Sequence, residues 1–243
     1  MHASTPAPLL VLCIPGPWTD HDALRHALME HGDGYLLAGR MLMHIDSGFS
    51  CAVLHEGADG RMPHAFAAAG YHWRDTPAMQ AIGTHRSVVY LEGEGGARAN
   101  AEAMMLAAAC LLRAGGLGVK VESSGSAHAP QAWLEFTQHL HLDSAHGALV
   151  AYVGDADSCY TCGMHNLGLH DAIIARQDSA APAQVLQAFT RYLFSEAPAL
   201  LDGQTFRVAA DTPRYRVHAA AGQPYSDDDL FRNPYGIWRL VTA

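Results

Sequence analysis

Apolar positions recur along this chain at two spacings, and the spacing separates strands from helices. Residues 9–14 (Leu9, Leu10, Val11, Leu12, Cys13, Ile14) form a short unbroken run closed by Pro15-Gly16-Pro17, the pattern of a buried strand. Asp20 stands where an N-cap belongs, Leu24 and Leu28 share a helical face, and Gly32 follows, which predicts a helix over 21–31. Strands are predicted over 35–38 and 50–54, with 41–43 open to either reading. Short helices are predicted over 63–69 and 77–82, each with proline in its first turn. Residues 87–91 read as a strand, the glycine-rich run 92–96 as a loop, and 118–122 as the next strand. Between them Asn100 is expected to cap a helix running to Ala114. Its apolar residues, Met104, Met105, Leu106, Cys110, Leu111 and Leu112, lie nearly all round, so it should be covered on most sides. If the two flanking strands are parallel neighbours, this unit is a right-handed crossover. Further helices are expected over 130–140 (Trp133, Phe136 and Leu140 near one face) and 182–195. Strands are expected over 148–153, 159–164, 171–176, 206–209, 215–218 and 237–241.

This alternation predicts an α+β protein, a layered sandwich of mainly antiparallel sheet with packed helices; two α/β halves sharing one core is a variant. The 243 residues suit a single globular domain over 1–243, or halves at 1–84 and 85–243. At 49% apolar and 16% charged residues, the chain has the composition of a folded protein.

Charge narrows the function. The net charge is −9, from 15 basic and 24 acidic residues, with sixteen histidines that protonate only in mild acid. Neutralising phosphates requires Lys and Arg, so nucleic acid is not the expected partner; a basic protein is. The five cysteines, an odd and scattered set, do not form a secreted disulfide framework, and no secretory leader or spanning apolar run is seen. The expectation is a cytoplasmic protein without membrane contact.

Three segments hold residues capable of chemistry. Cys159-Tyr160-Thr161-Cys162, with His165 and His170 nearby, has a metal-ligand or redox spacing. A structural zinc needs four ligands, however, and on a strand the two thiols face opposite sides. No metal or other cofactor is therefore expected. Ser126 and His128 put a hydroxyl near an imidazole, the start of a hydrolase site, but no nucleophile-elbow pattern surrounds them; a polar loop leading into the next helix is the simpler role. The run 92–96 resembles a phosphate cradle, but Arg98 occupies the third glycine position, and Glu92 and Glu94 repel phosphate. No catalytic set is complete. That leaves Asp227, Asp228 and Asp229 beside Leu230 and Phe231, an acid-rimmed apolar anchor fit to meet a basic protein.

Two stretches resemble a known family. Residues 162–171 (Cys162-Gly163-Met164-His165-Asn166-Leu167-Gly168-Leu169-His170-Asp171) form one. Leu201-Asp202-Gly203-Gln204-Thr205-Phe206, followed by Asn233-Pro234-Tyr235-Gly236-Ile237-Trp238, forms the other. Together they are similar to the bacterial family called domain of unknown function 4261, over about residues 148–243. That family pairs a Gly-Met strand end and a Gly-Leu-x-acid stretch with a helix and an Asp-Gly-x-Thr turn. The resemblance implies a fold and no catalytic residues, and its pattern does not require the two cysteines. It also implies an association with immunity proteins that neutralise secreted toxins. The functional expectation is a non-enzymatic protein-binding module of this kind, with Asp227, Asp228, Asp229 and Phe231 at the contact. The alternatives are a small hydrolase at Ser126/His128 or near His165, and a metal or redox protein at Cys159/Cys162. Gly163 and Gly168 are expected to serve tight backbone geometry.

Overall fold

The computed structural model describes residues 7–138, 140, 143–220, 223, 225, 226 and 228–243. The first sheet is built from β1 (Leu9–Gly16), β2 (Tyr35–Ala38), β3 (Met41–His44), β4 (Ser50–Gly57), β5 (Ser87–Glu94), β6 (Val119–Val121) and β7 (Ser126–His128). Its order is β2-β3-β4-β5-β1-β6-β7, antiparallel throughout. The second sheet comprises β8 (Ala151–Gly154), β9 (Ser158–Cys162), β10 (Asp171–Ala175), β11 (Thr205–Phe206), β12 (Tyr215–Ala219) and β13 (Ile237–Thr242). Its order is β11-β12-β13-β10-β9-β8, with β10 and β13 parallel and the other pairs antiparallel. The helices are α1 (His21–His31), α2 (Met62–Ala69), α3 (Pro77–Ala81), α4 (Arg98–Arg113), α5 (Pro130–Gln138), α6 (Ser144–Leu149) and α7 (Pro182–Glu196). The class is α+β with mainly antiparallel sheet.

The central strand β1 is buried on both faces, which is why its run is continuous rather than alternating. Leu10, Leu12 and Ile14 belong to the main core with α1 and α4, whereas Cys13 packs with Val88, Met62, Phe66 and Ile82 under α2 and α3. Helix α4 buries Met104, Met105 and Leu111 with Ala101, Ala107, Ala108 and Ala109, as its apolar circumference predicts. In the second sheet Ile174, Val217 and Leu240 join the same core, with α7 supplying Leu186, Phe189 and Leu193. The Arg98 guanidinium at the start of α4 lies 5.4 Å from the centroid of the Phe194 ring on α7.

Several boundaries differ from the sequence expectation. Asn100 lies inside the first turn of α4; Ala97 is the N-cap, and the Asn100 side chain donates to the Gly95 carbonyl instead. Glu92, Gly93 and Glu94 continue β5, because β1 offers partners out to Leu9 opposite Glu94. The units β5 and β6 are not neighbours: β1 lies between them, so α4 crosses over an intervening strand. Residues 148–149 close helix α6 rather than open a strand, and Ser126–His128 is a strand, not a loop. Because β5 pairs with both β1 and β4, a division at residue 84 would cut the first sheet. The sheets themselves separate between His128 and Ala151. Among the described residues, no helix is long and apolar enough to cross a membrane.

Candidate functional site

Strand β9 ends at Cys162, and the chain must then reverse into β10. Gly163 (φ 112°) and Gly168 (φ 79°) bracket a single 3-10 turn, Met164–Leu167, and both occupy the left-handed region that glycine enters without strain. This turn drives polar side chains inward: His165 is 1% exposed and Asn166 fully buried. Asp171, at 2% exposure, gathers the donors around it. It accepts from Thr161 Oγ1 at 2.9 Å, Asn233 Nδ2 at 2.7 Å and the Met164 N–H at 3.3 Å. Thr161 Oγ1 in turn accepts the Ala172 N–H at 2.9 Å. Ser123 Oγ, from the turn between β6 and β7, donates to Asn166 Oδ1 at 2.9 Å. Among the described residues, both His165 ring nitrogens and Asn166 Nδ2 are buried without a hydrogen-bond partner, and His165 Nδ1 stays 3.9 Å from Asp171 Oδ2. Residues 162–171 and 233–238 thus converge: His165 and Asp171 come from the first segment, Asn233 from the second.

Asn233 also anchors the acidic loop. Its Nδ2 donates to the Leu169 carbonyl at 2.9 Å, and its backbone N–H donates to Gln223 Oε1 at 2.9 Å. Asp228 is exposed. Asp229 Oδ1 accepts the Phe231 N–H at 2.9 Å, folding the loop on itself. Phe231 is half-buried, with its ring centroid 5.6 Å from that of Tyr225. Asp227 lies outside the described residues. The apolar side chains beside the acids are Leu230 and Leu9, the latter 47% exposed. They are shared by two adjoining hollows of about 430 and 450 Å³. One is bordered by Asp228, Asp229 and Arg232, the other by Glu92, Arg61 and a Lys120–Glu122 ion pair.

The remaining candidates have other duties. Cys159 packs in the main core, while Cys162 faces the Ser123 and Phe231 carbonyls, and burial pushes the Cys162 thiol well above its usual range. All five cysteines are buried and unbridged, and no three metal-ligating side chains converge among the described residues. In the run 92–96, the Gly95 N–H donates to Pro8 O at 2.8 Å and the Gly96 N–H to Asn166 O at 3.0 Å, so these amides are already engaged. His128 Nε2 donates to the Ala148 carbonyl at 2.8 Å; Ser126 Oγ pairs with Ser124 Oγ at 3.1 Å and reaches the same carbonyl at 3.4 Å. Serine and histidine therefore share an acceptor instead of bonding to each other, which is not a nucleophile–base pair.

Burial holds the His128 and His146 imidazoles neutral, each pushed down to about 4. The unfolded chain protonates histidine near pH 6.5. Between the two values the unfolded state binds more protons, so stability is full above about 6.5 and falls as pH drops toward 4. Denaturant unfolding of the wild type should therefore lose more stability from pH 7 to pH 5 than unfolding of a His128→Phe variant. Equal losses would mean that His128 does not titrate on unfolding in this window.

Ser123, Thr161, Asn166 and Asn233 were not singled out as site residues from the sequence. The one available signal was Asp171, an acid opening an apolar strand. Comparison with family models, with curated proteins and with solved structures gives no match to this chain.

Proposed function

We propose that the chain is a non-enzymatic protein-binding module that meets a basic partner on the face formed by Asp228, Asp229, Leu230 and Leu9. Its most concrete form is a bacterial immunity protein that neutralises a secreted toxin in the cytoplasm. The observation that carries this reading is the apolar pair Leu9 and Leu230 between two hollows, with Asp228 and Asp229 at the rim. The net charge of −9 supports attraction of a basic surface. The loop is held from beneath by Asn233 and Asp171, so little ordering entropy would be lost on binding.

The test is a partner captured on the full chain and then measured by stopped flow. Replacing Asp228 and Asp229 by asparagine should leave stability unchanged and slow association by about 3- to 10-fold at low salt, with the difference fading as salt rises. Leu230→Ser should speed dissociation. A cognate partner indifferent to all three changes would remove this face from the interface. Turnover of a substrate lost in Ser126→Ala, with the fold intact, would overturn the non-enzymatic reading.

A further inference from the structure

The outer strands of the two sheets, β7 and β8, face a common cleft of about 570 Å³. That volume lies within the few hundred to about 1,000 Å³ typical of small-molecule sites. Its floor carries Ser124, Ser126 and His128, and its rim Tyr71, Phe136 and Tyr152. Although the chain holds 39 charged residues in its 15 basic and 24 acidic side chains, none of the described residues lining this cleft is Asp, Glu, Lys or Arg. Its histidines are His72 and His128, whose ring centroids lie 6.3 Å apart, so a charged ligand would lose hydration there without meeting a permanent counter-ion.

His128 is positioned for recognition. Its ring lies 5.6 Å from Trp133 and 5.5 Å, edge-on, from Phe136. Donation from Nε2 to the Ala148 carbonyl fixes the tautomer, so Nδ1 carries the lone pair. No hydrogen bond engages Nδ1 among the described residues. We infer that this cleft binds a small, uncharged aromatic molecule that donates one N–H or O–H to His128 Nδ1 and lies against the aromatic rim. Binding rather than turnover follows from the chemistry of the floor. An imidazole pushed down to about 4 is a weak base at neutral pH, and Ser126 Oγ is directed to Ser124 and Ala148. A bound ligand that covers Nδ1 without donating to it strips the acceptor of water and leaves it unpaired, so a ligand lacking the donor should be rejected.

Calorimetric titration of the full chain tests this with two probes, indole and 2-naphthol, each uncharged with a single donor. Both should bind saturably at one site. Their N- and O-methylated counterparts, 1-methylindole and 2-methoxynaphthalene, should bind at least about tenfold more weakly. Indole-3-acetate, which is anionic, should be weaker still. Ala132→Phe, on the part of α5 that lines the cleft, puts a ring into the space, leaves Ser124, Ser126 and His128 unchanged in sequence and should abolish binding. His128→Phe keeps an aromatic ring but removes the acceptor, and should make indole and 1-methylindole equivalent; circular dichroism checks that both variants fold. Absence of saturable binding by both probes at millimolar concentration overturns the inference. So does binding that survives Ala132→Phe, or wild-type binding indifferent to methylation.

Discussion

Replacing Gly163 by alanine is expected to destabilise the protein by about 3 kcal/mol or more. Two effects add. The residue sits at φ 112°, where a side chain is strained by about 1–3 kcal/mol. A Cβ there would also lie 2.2 Å from the Leu149 carbonyl oxygen and 2.7 Å from Ser124 Cβ. The first of these is backbone, at the end of α6, so relief requires moving the turn that carries His165 and Asn166. For a chain of this size the melting temperature should fall by roughly 6–12 °C. Gly203→Ala is the control: its φ is 82°, but nothing lies within 4 Å of the added Cβ, so only the backbone strain remains. Equal losses in the two variants would show that close packing at Gly163 contributes nothing. Gly168→Val belongs with Gly163, since its Cβ would meet Gly96 O at 2.4 Å.

Asp171→Ala should cost about 3–5 kcal/mol. The substitution strands the Thr161 hydroxyl, the Asn233 amide and the Met164 N–H in a site that water does not reach freely. The loss should also be local. Asn233 would keep its bond to the Leu169 carbonyl but lose its carboxylate, so amide exchange at residues 228–233 should quicken beyond what the global destabilisation accounts for. Asp171→Asn retains one acceptor oxygen but sets its own amide against donors; it should fall between wild type and alanine. Unchanged exchange in the loop, with stability lost elsewhere, would separate this network from the acidic face and remove the argument for preorganisation.

Local pattern carried well wherever one face of an element meets the core. Helix α1 was legible from Asp20, Leu24, Leu28 and Gly32, and Asp20 Oδ1 does accept the Ala23 N–H. Helix α4 was legible from its apolar circumference, α7 from the spacing of Val185, Leu186, Phe189 and Leu193. The glycines at 163 and 168 were legible as sites of tight backbone geometry, but the strand read over 159–164 ends at Cys162, and Gly163 begins the turn. Pattern failed where tertiary partners decide the conformation. Glu92–Glu94 is strand because β1 lies alongside, a fact absent from residues 92–96 themselves. Ala148 and Leu149 are buried in either a helix or a strand, so their apolar character could not choose between the two.

The sequence by itself thus determined the α+β class, the acidic charge, most helices and the tight backbone geometry at Gly163 and Gly168. These rest on local sterics, periodicity and composition, which need no partner. Only the tertiary structure decided which polar residues meet. Ser123 reaches Asn166 across 43 positions and Asn233 reaches Asp171 across 62, and hydrogen bonds formed over such distances leave no spacing in the chain. It likewise decided that His128 turns to the Ala148 carbonyl rather than to Ser126, and that Leu9 and Leu230 border the acidic loop. In each case the choice depends on which donor, acceptor or apolar surface the fold brings within a few ångströms.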